Sequence, residues 1–163
     1  MLQRVSIARG LLVNPELIIA DEPTTGLDFE LQIDFVRLLK NIITDKNLSL
    51  IFITHNMRIV EEFKSDATVV LYKGEIVEEN RDILNNPIHP YTKILINSIP
   101  AKWTKDKTIE IIKNDKKTED TSFPGCVFYN MCQFKKEDCK KAVPIIKTKN
   151  GFVKCFYYDV EKP

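Results

Sequence analysis

The sequence predicts an α/β fold, a parallel sheet flanked by helices, with a small cysteine-rich extension at the C-terminal end. Three observations predict it. Over residues 1–100, short unbroken apolar runs alternate with stretches whose apolar residues recur at helical spacing. Those runs lack the in–out alternation of a half-solvated strand, so they read as strands buried on both faces, as parallel sheets require. Residues 122–160 then hold all four cysteines together with Phe123, Phe128, Tyr129, Phe134, Phe152, Phe156, Tyr157 and Tyr158.

The elements follow in order. Leu2, Val5, Leu11 and Leu12 share a helical face, so residues 2–13 read as a helix that Asn14-Pro15 ends. Leu17–Ala20 is the first buried strand. Leu31, Phe35, Leu38, Leu39 and Ile42 recur at helical spacing after Gly26. Leu50–Thr54 is the second strand, and Asn56 caps a helix carrying Ile59, Val60 and Phe63. Ala67–Tyr72 is the third strand, which Lys73-Gly74 turns into a fourth, Glu75–Glu78. Helix and strand in alternation imply a parallel α/β sheet, with all strands to Tyr72 as its members.

Composition excludes several classes of function. With 24 basic and 23 acidic side chains the net charge is +1, so no basic excess displaces counterions from a nucleic acid. No apolar run is long enough to span a bilayer. The first residues, MLQRVSIARGLLVN, are broken by Gln3, Arg4 and Arg9 and do not form a signal peptide. A cytoplasmic chain is expected, in which four cysteines read as metal ligands or free thiols rather than disulfides.

The richest segment is LIIADEPTTGLD, residues 17–28. Its strand ends in Asp21-Glu22, and ligands of open α/β sheets bind beyond the carboxyl ends of the strands. An Asp there can hold Mg2+ on nucleotide phosphates. An adjacent Glu can orient or deprotonate an attacking water. Alone, four apolar residues and an acidic pair read as a buried strand meeting a solvated turn, since such strings are common by chance. A second strand, LSLIFITHN, ends in His55, which alone reads as a capping or packing residue.

Together, in this order and spacing, these segments resemble the Walker B motif, D-loop and switch histidine of ABC ATPases, and QRVSIARGLLVNPELIIADEPTTGLD is similar to that family almost throughout. The resemblance implies a P-loop NTPase sheet and assigns residues. Asp21 would hold Mg2+ through water, and Glu22 would be the catalytic base or water positioner. Asp28 would lie at the contact between two ATPase subunits. His55 would touch the γ-phosphate of ATP. Gln3 and Arg4 would open the helix after the signature loop. No GxxxxGK[ST] and no LSGG occur in the sequence; in the family both precede the position of Met1. The chain therefore reads as the C-terminal part of such an ATPase, from a truncated gene, a split gene or a misassigned start. It is expected to lack activity alone and to leave apolar sheet surface bare.

NNPIHPYTKILINSIP, residues 85–100, narrows the resemblance to the extension of oligopeptide, dipeptide and nickel importer ATPases. Read without the family it is a docking helix, and His89 is structural. The expected division is 1–84 for the ATPase part and 85–163 for the extension, with a cysteine-rich tail at 122–160. Cys126, Cys132, Cys139 and Cys155 resemble the cysteine tail of that subfamily, FPGC included. The resemblance implies a [4Fe–4S] cluster; zinc and four free thiols stay open, because spacing alone does not select the metal. Pro144 and Gly151 are placed to turn the tail back. Val143 with Ile145, and Phe152 with Phe156, are placed to cover the centre. The linker 101–121 lacks the Gly- and Pro-containing stretch of the family. Implied partners are a second ATPase subunit, a membrane permease and, indirectly, a substrate-binding protein, on the cytoplasmic face of the membrane. An accessory module paired with a complete ATPase and an iron–sulfur sensor are the competing functions.

Overall fold

The computed structural model describes residues 2–99 and 124–158, and of residues 2–4 the backbone alone. The linker 101–121, Phe123 and the side chains of Gln3 and Arg4 lie outside the described residues. By packing, the chain forms two compact units, Met1–Lys64 and Ser65–Pro163. The resemblance instead divides it at 84/85.

In the first unit the order is α1 (Leu2–Leu11), β1 (Leu17–Asp21), α2 (Phe29–Lys46), β2 (Ser49–Ile53) and α3 (Met57–Phe63). β1 and β2 pair in parallel, Leu17 opposite Ser49 through Asp21 opposite Ile53. α2 starts where the Asp28 carboxylate accepts the Leu31 N–H at 3.0 Å, and it ends at Asn47 in the left-handed region. Its buried stripe is Phe35, Val36 and Leu39, packed with Ile59 of α3; Leu31, expected on that stripe, is exposed in the first turn. Phe52 of β2 meets Phe63 of α3 with ring centroids 5.2 Å apart. The opposite sheet face, with Leu17, Ile19, Ile51 and Ile53, is exposed, as expected of a sheet covered on one side. α1 forms as expected, but Val5 and Leu12 on its apolar stripe are exposed.

The second unit corrects one expectation. β3 (Thr68–Tyr72) is not a member of a parallel sheet; with β4 (Glu75–Asn80) it belongs to a four-stranded antiparallel sheet of order β3-β4-β6-β5. β5 (Ile145–Thr148) and β6 (Gly151–Lys154) come from the tail. The physical reason lies in Lys73-Gly74. Both residues have positive φ, the two-residue turn that reverses a chain onto its antiparallel neighbour. β4 then offers its other edge to β6, Glu78 opposite Val153 and Asn80 opposite Gly151. Gly151 permits this approach, because a Cβ there would collide with the Glu79 carbonyl. The tail does turn back through the β5–β6 hairpin. Ile145, placed by the sequence over the cysteines, is exposed instead. Helix α4 (Pro90–Asn97) completes the unit, whose core holds Val70, Val77, Ile83, Ile96, Ile99, Phe128 and Val153.

Candidate functional site

At the carboxyl end of β1, Asp21 is the last ladder residue and is exposed. Glu22 follows with φ +46, the left-handed region that a non-glycine residue occupies only where its surroundings enforce it. The enforcement is visible. The Glu22 N–H donates to the Ile53 carbonyl at 3.0 Å, which continues the β1–β2 ladder by one bond. The Thr25 N–H donates back to the Glu22 carbonyl at 3.1 Å. So turned, the carboxylate meets His55 at the end of the neighbouring strand, with Nδ1 2.6 Å from Oε1. The Thr25 hydroxyl donates to Oε2 at 3.2 Å. The His55 contact, aided by Thr25, holds the Glu22 carboxyl below its usual value of 4.5 against the opposing effect of burial. Two residues separated in sequence by a whole helix are thus brought together, with the carboxylate ionised at neutral pH.

The loop between Glu22 and α2 is tied down from one residue. The Gln32 amide donates to the Leu27 carbonyl at 3.0 Å and to the Thr24 carbonyl at 3.4 Å. Its oxygen accepts from the Asn56 amide at 2.9 Å. Asn56 caps α3 as expected, its Oδ1 accepting the Arg58 N–H at 3.1 Å. Gln32 therefore joins the loop carrying Asp28 to the segment carrying His55. Sequence reasoning missed it, since a polar residue on a helix reads as solvated surface; nothing local marks it.

In the tail, the fold gathers the four cysteines. Cys139 and Cys155 are buried, Cys126 and Cys132 half-buried, and all four are free thiols. The Cys126 N–H donates to the Cys139 carbonyl at 2.8 Å. Gly125 allows that approach, because a Cβ there would strike the backbone of Cys139 and Lys140. Burial pushes the Cys126 thiol up to about 11; the Phe128 N–H works against that shift, and the other three thiols add to it. Burial also raises Cys132 and Cys155, each sensing Cys139 as a neighbour. The quartet has the donor type and number of a four-thiolate centre, and its members are close enough to sense one another's charge. Among the described residues, however, no group of three or more His, Cys, Asp or Glu side chains is arranged to hold a metal ion.

Comparison with known proteins bears on both regions. Residues 77–139 match the family described as oligopeptide/dipeptide transporter, C-terminal region. The chain is 38% identical over 160 residues to the oligopeptide transport ATP-binding protein OppF of Haemophilus influenzae, covering 94% of this chain and 48% of the relative. The chain belongs to the ATP-binding-protein family of oligopeptide and dipeptide ABC transporters. Two further members are similar. The oligopeptide transport ATP-binding protein AppD of Bacillus subtilis is 39% identical over 165 residues, 99% of this chain and 50% of the relative. The dipeptide transport ATP-binding protein DppD of Caldanaerobacter subterraneus is 37% identical over 167 residues, 100% of this chain and 51% of the relative. The chain spans about half the length of these curated relatives. Among the described residues no helix is long and apolar enough to cross a membrane.

The family-matched segment is built around Glu78, a second residue that sequence reading missed. Its fully buried carboxylate accepts the Ile88 N–H at 3.0 and 3.2 Å, the His89 N–H at 2.8 Å and the Asn80 amide at 3.1 Å. It thereby holds the Pro-Ile-His turn from which α4 starts, while the His89 Nδ1 caps the helix by accepting the Tyr91 N–H at 3.1 Å. Glu78→Gln turns an amide NH2 toward these donors. We expect it to cost about 1–3 kcal/mol of stability in this unit, the penalty of one buried donor left unsatisfied. An unchanged urea midpoint would contradict the clamp.

His89 is buried, and its Nε2 has no hydrogen-bond partner among the described residues. Burial lowers its pKa from 6.5 to about 4. Below pH 6.5 the unfolded chain takes up a proton that the folded chain refuses. Stability is therefore full above pH 6.5 and falls as pH drops toward 4, by up to about 3 kcal/mol from this group. Urea melts of the parent and of His89→Gln at pH 7 and pH 4.5 measure this. The loss should be smaller in the variant; equal losses would assign it to other groups.

Proposed function

We propose that this chain carries the hydrolytic and subunit-contact elements of an ATPase that powers an importer of oligopeptides or dipeptides. The Glu22–His55 contact supports this reading most directly. It sets an ionised carboxylate and an imidazole at the carboxyl ends of adjacent parallel strands, where an α/β sheet presents its ligand. In this reading Glu22 orients or deprotonates the attacking water and His55 touches the γ-phosphate. The 2.6 Å contact leaves no room for a water between them, so water approaches Oε2 or the pair separates. Asp21, exposed at the strand end, holds Mg2+ through water, and Mg2+ offsets phosphate charge when bound. Asp28 lies at the contact with a second ATPase subunit, and Gln3 and Arg4 open the helix that follows the signature loop. A membrane permease on the cytoplasmic face is the coupled partner, fed by a substrate-binding protein. The 163 residues contain no GxxxxGK[ST], and backbone N–H groups and a Lys from such a loop are what cradle the phosphates. A polypeptide of these residues alone should give no Mg2+-dependent ATP turnover above background, and one extended upstream through a phosphate loop should. Turnover by the short polypeptide that disappears in Glu22→Gln would overturn the requirement for a cradle.

For the tail we propose a metal centre on Cys126, Cys132, Cys139 and Cys155, a [4Fe–4S] cluster in preference to zinc. The four thiols, two buried and two half-buried, support it, since thiolates removed from water need a cation to offset their charge. Four thiolates are the usual ligand set of such a cluster. Anaerobically purified chain should be brown, with about four irons. Colourless protein with zinc would move the assignment to the alternative, and metal-free protein would end it.

A further inference from the structure

Three of the four cysteines are followed two residues later by an aromatic residue: Cys126-Val127-Phe128, Cys132-Gln133-Phe134 and Cys155-Phe156-Tyr157. The Tyr157 N–H donates to Cys155 Sγ at 3.4 Å, and the backbone N–H groups of Phe128 and Phe134 favour negative charge on Cys126 and Cys132. An N–H aimed at sulfur fixes where the sulfur points and favours negative charge on it. The rings then fasten the turns. Phe134 and Tyr157 stack on each other with centroids 4.5 Å apart and planes 27° apart. The turn carrying Cys132 is thereby clasped to the turn carrying Cys155, which comes from the far end of the tail. The Lys136 ammonium lies over the Tyr157 ring, 6.0 Å from its centroid. Phe128 is anchored elsewhere, against Tyr72, His89 and Tyr91.

We propose that Phe134 and Tyr157 are positioning residues of the four-cysteine centre: their ring stack holds Cys132 and Cys155 together before any metal is bound. This rests on reading the cysteines as a metal centre and adds how that centre is pre-assembled. A stack formed in the metal-free chain orders these two turns in advance, so that less of the ordering entropy falls on metal binding.

The test uses the whole chain, reduced and metal-free, with alkylation of each cysteine followed by mass spectrometry. Phe134→Ala and Tyr157→Ala should each accelerate alkylation of Cys132 and Cys155 together, by about threefold to tenfold, the worth of one aromatic pair. Cys126 should keep its rate, since its turn is held by Phe128. The conservative Phe134→Tyr and Tyr157→Phe should keep all parent rates. Unchanged rates in the alanine variants overturn the proposal. Acceleration of Cys126 to the same extent overturns it too, because the stack is then general packing of the tail. Loaded anaerobically with iron and sulfide, the alanine variants should lose visible absorption sooner than the parent. A parent that takes up no metal, with the alkylation pattern as expected, removes the metal centre and leaves the clasp.

Discussion

In a polypeptide that joins these residues to a phosphate loop, Glu22→Gln is expected to lower ATP turnover by about 10²–10⁴-fold, the usual worth of a positioned general base. Nucleotide binding should be retained. The substitution keeps the size of the side chain and its strained backbone position, and the amide oxygen can still accept from Thr25. It removes the negative charge that His55 meets at 2.6 Å and the basicity a water would use. Because His55 and Thr25 hold the Glu22 carboxyl below its usual value of 4.5, the acid limb of the parent's pH–rate profile should fall below that pH. His55→Ala should also slow turnover, and it should move the same limb upward, since the main cause of the depression is gone. Equal turnover by parent and Glu22→Gln would place the chemistry on another residue.

The legible parts of this molecule are those with a local physical cause. The runs Leu17–Ala20 and Leu50–Thr54 read as strands because they are short, unbroken and apolar, as strands of a parallel sheet are, although one face of their pair is exposed. Asp28 and Asn56 begin their helices because their side chains accept early helical N–H groups. Lys73-Gly74 announces the β3–β4 hairpin. Asp21, Glu22 and His55 were assigned from the order of motifs, and the structure brings Glu22 and His55 into contact.

The illegible parts depend on partners far away in sequence. β3 continues the earlier alternation so well that it reads as another parallel strand; that β4 pairs with β6 has no local signature, since antiparallel partners need only compatible edges. Glu78 sits among Glu75, Glu79 and Asn80 and reads as one more solvated strand residue. Only the fold shows that it faces Ile88 and His89. Gln32 is hidden in the same way, as an ordinary helix-surface residue. The cysteine spacing could not show which aromatic residues pack beside the thiols, such as Phe134 stacked on Tyr157.

The second large effect is expected at Phe128, which lies between Cys126 and Cys132 yet belongs to the core. Only 1% of it is exposed. Its ring meets Tyr72 edge-on at 5.2 Å, Tyr91 at 5.4 Å and His89 at 5.9 Å, while Tyr72 and Tyr91 themselves stand 4.6 Å apart. One tail residue therefore plugs a cluster formed by the end of β3 and the start of α4. Phe128→Ala removes the ring's transfer free energy and leaves a cavity that three other rings line, a combination that costs about 3–5 kcal/mol. Phe128→Leu refills most of the volume and should cost less, losing chiefly the edge-to-face contacts, about 0.5–1.5 kcal/mol per pair. The loss should be shared by the hairpin, α4 and the tail, because each supplies a wall of the same cluster. Hydrogen exchange checks this directly: amides of Val70, Val77, Ile96 and Val153 should lose protection together in Phe128→Ala. If Val153 and the tail lose protection while Val70 and Ile96 keep theirs, the tail is an appendage and the ring cluster is not what joins it to the sheet.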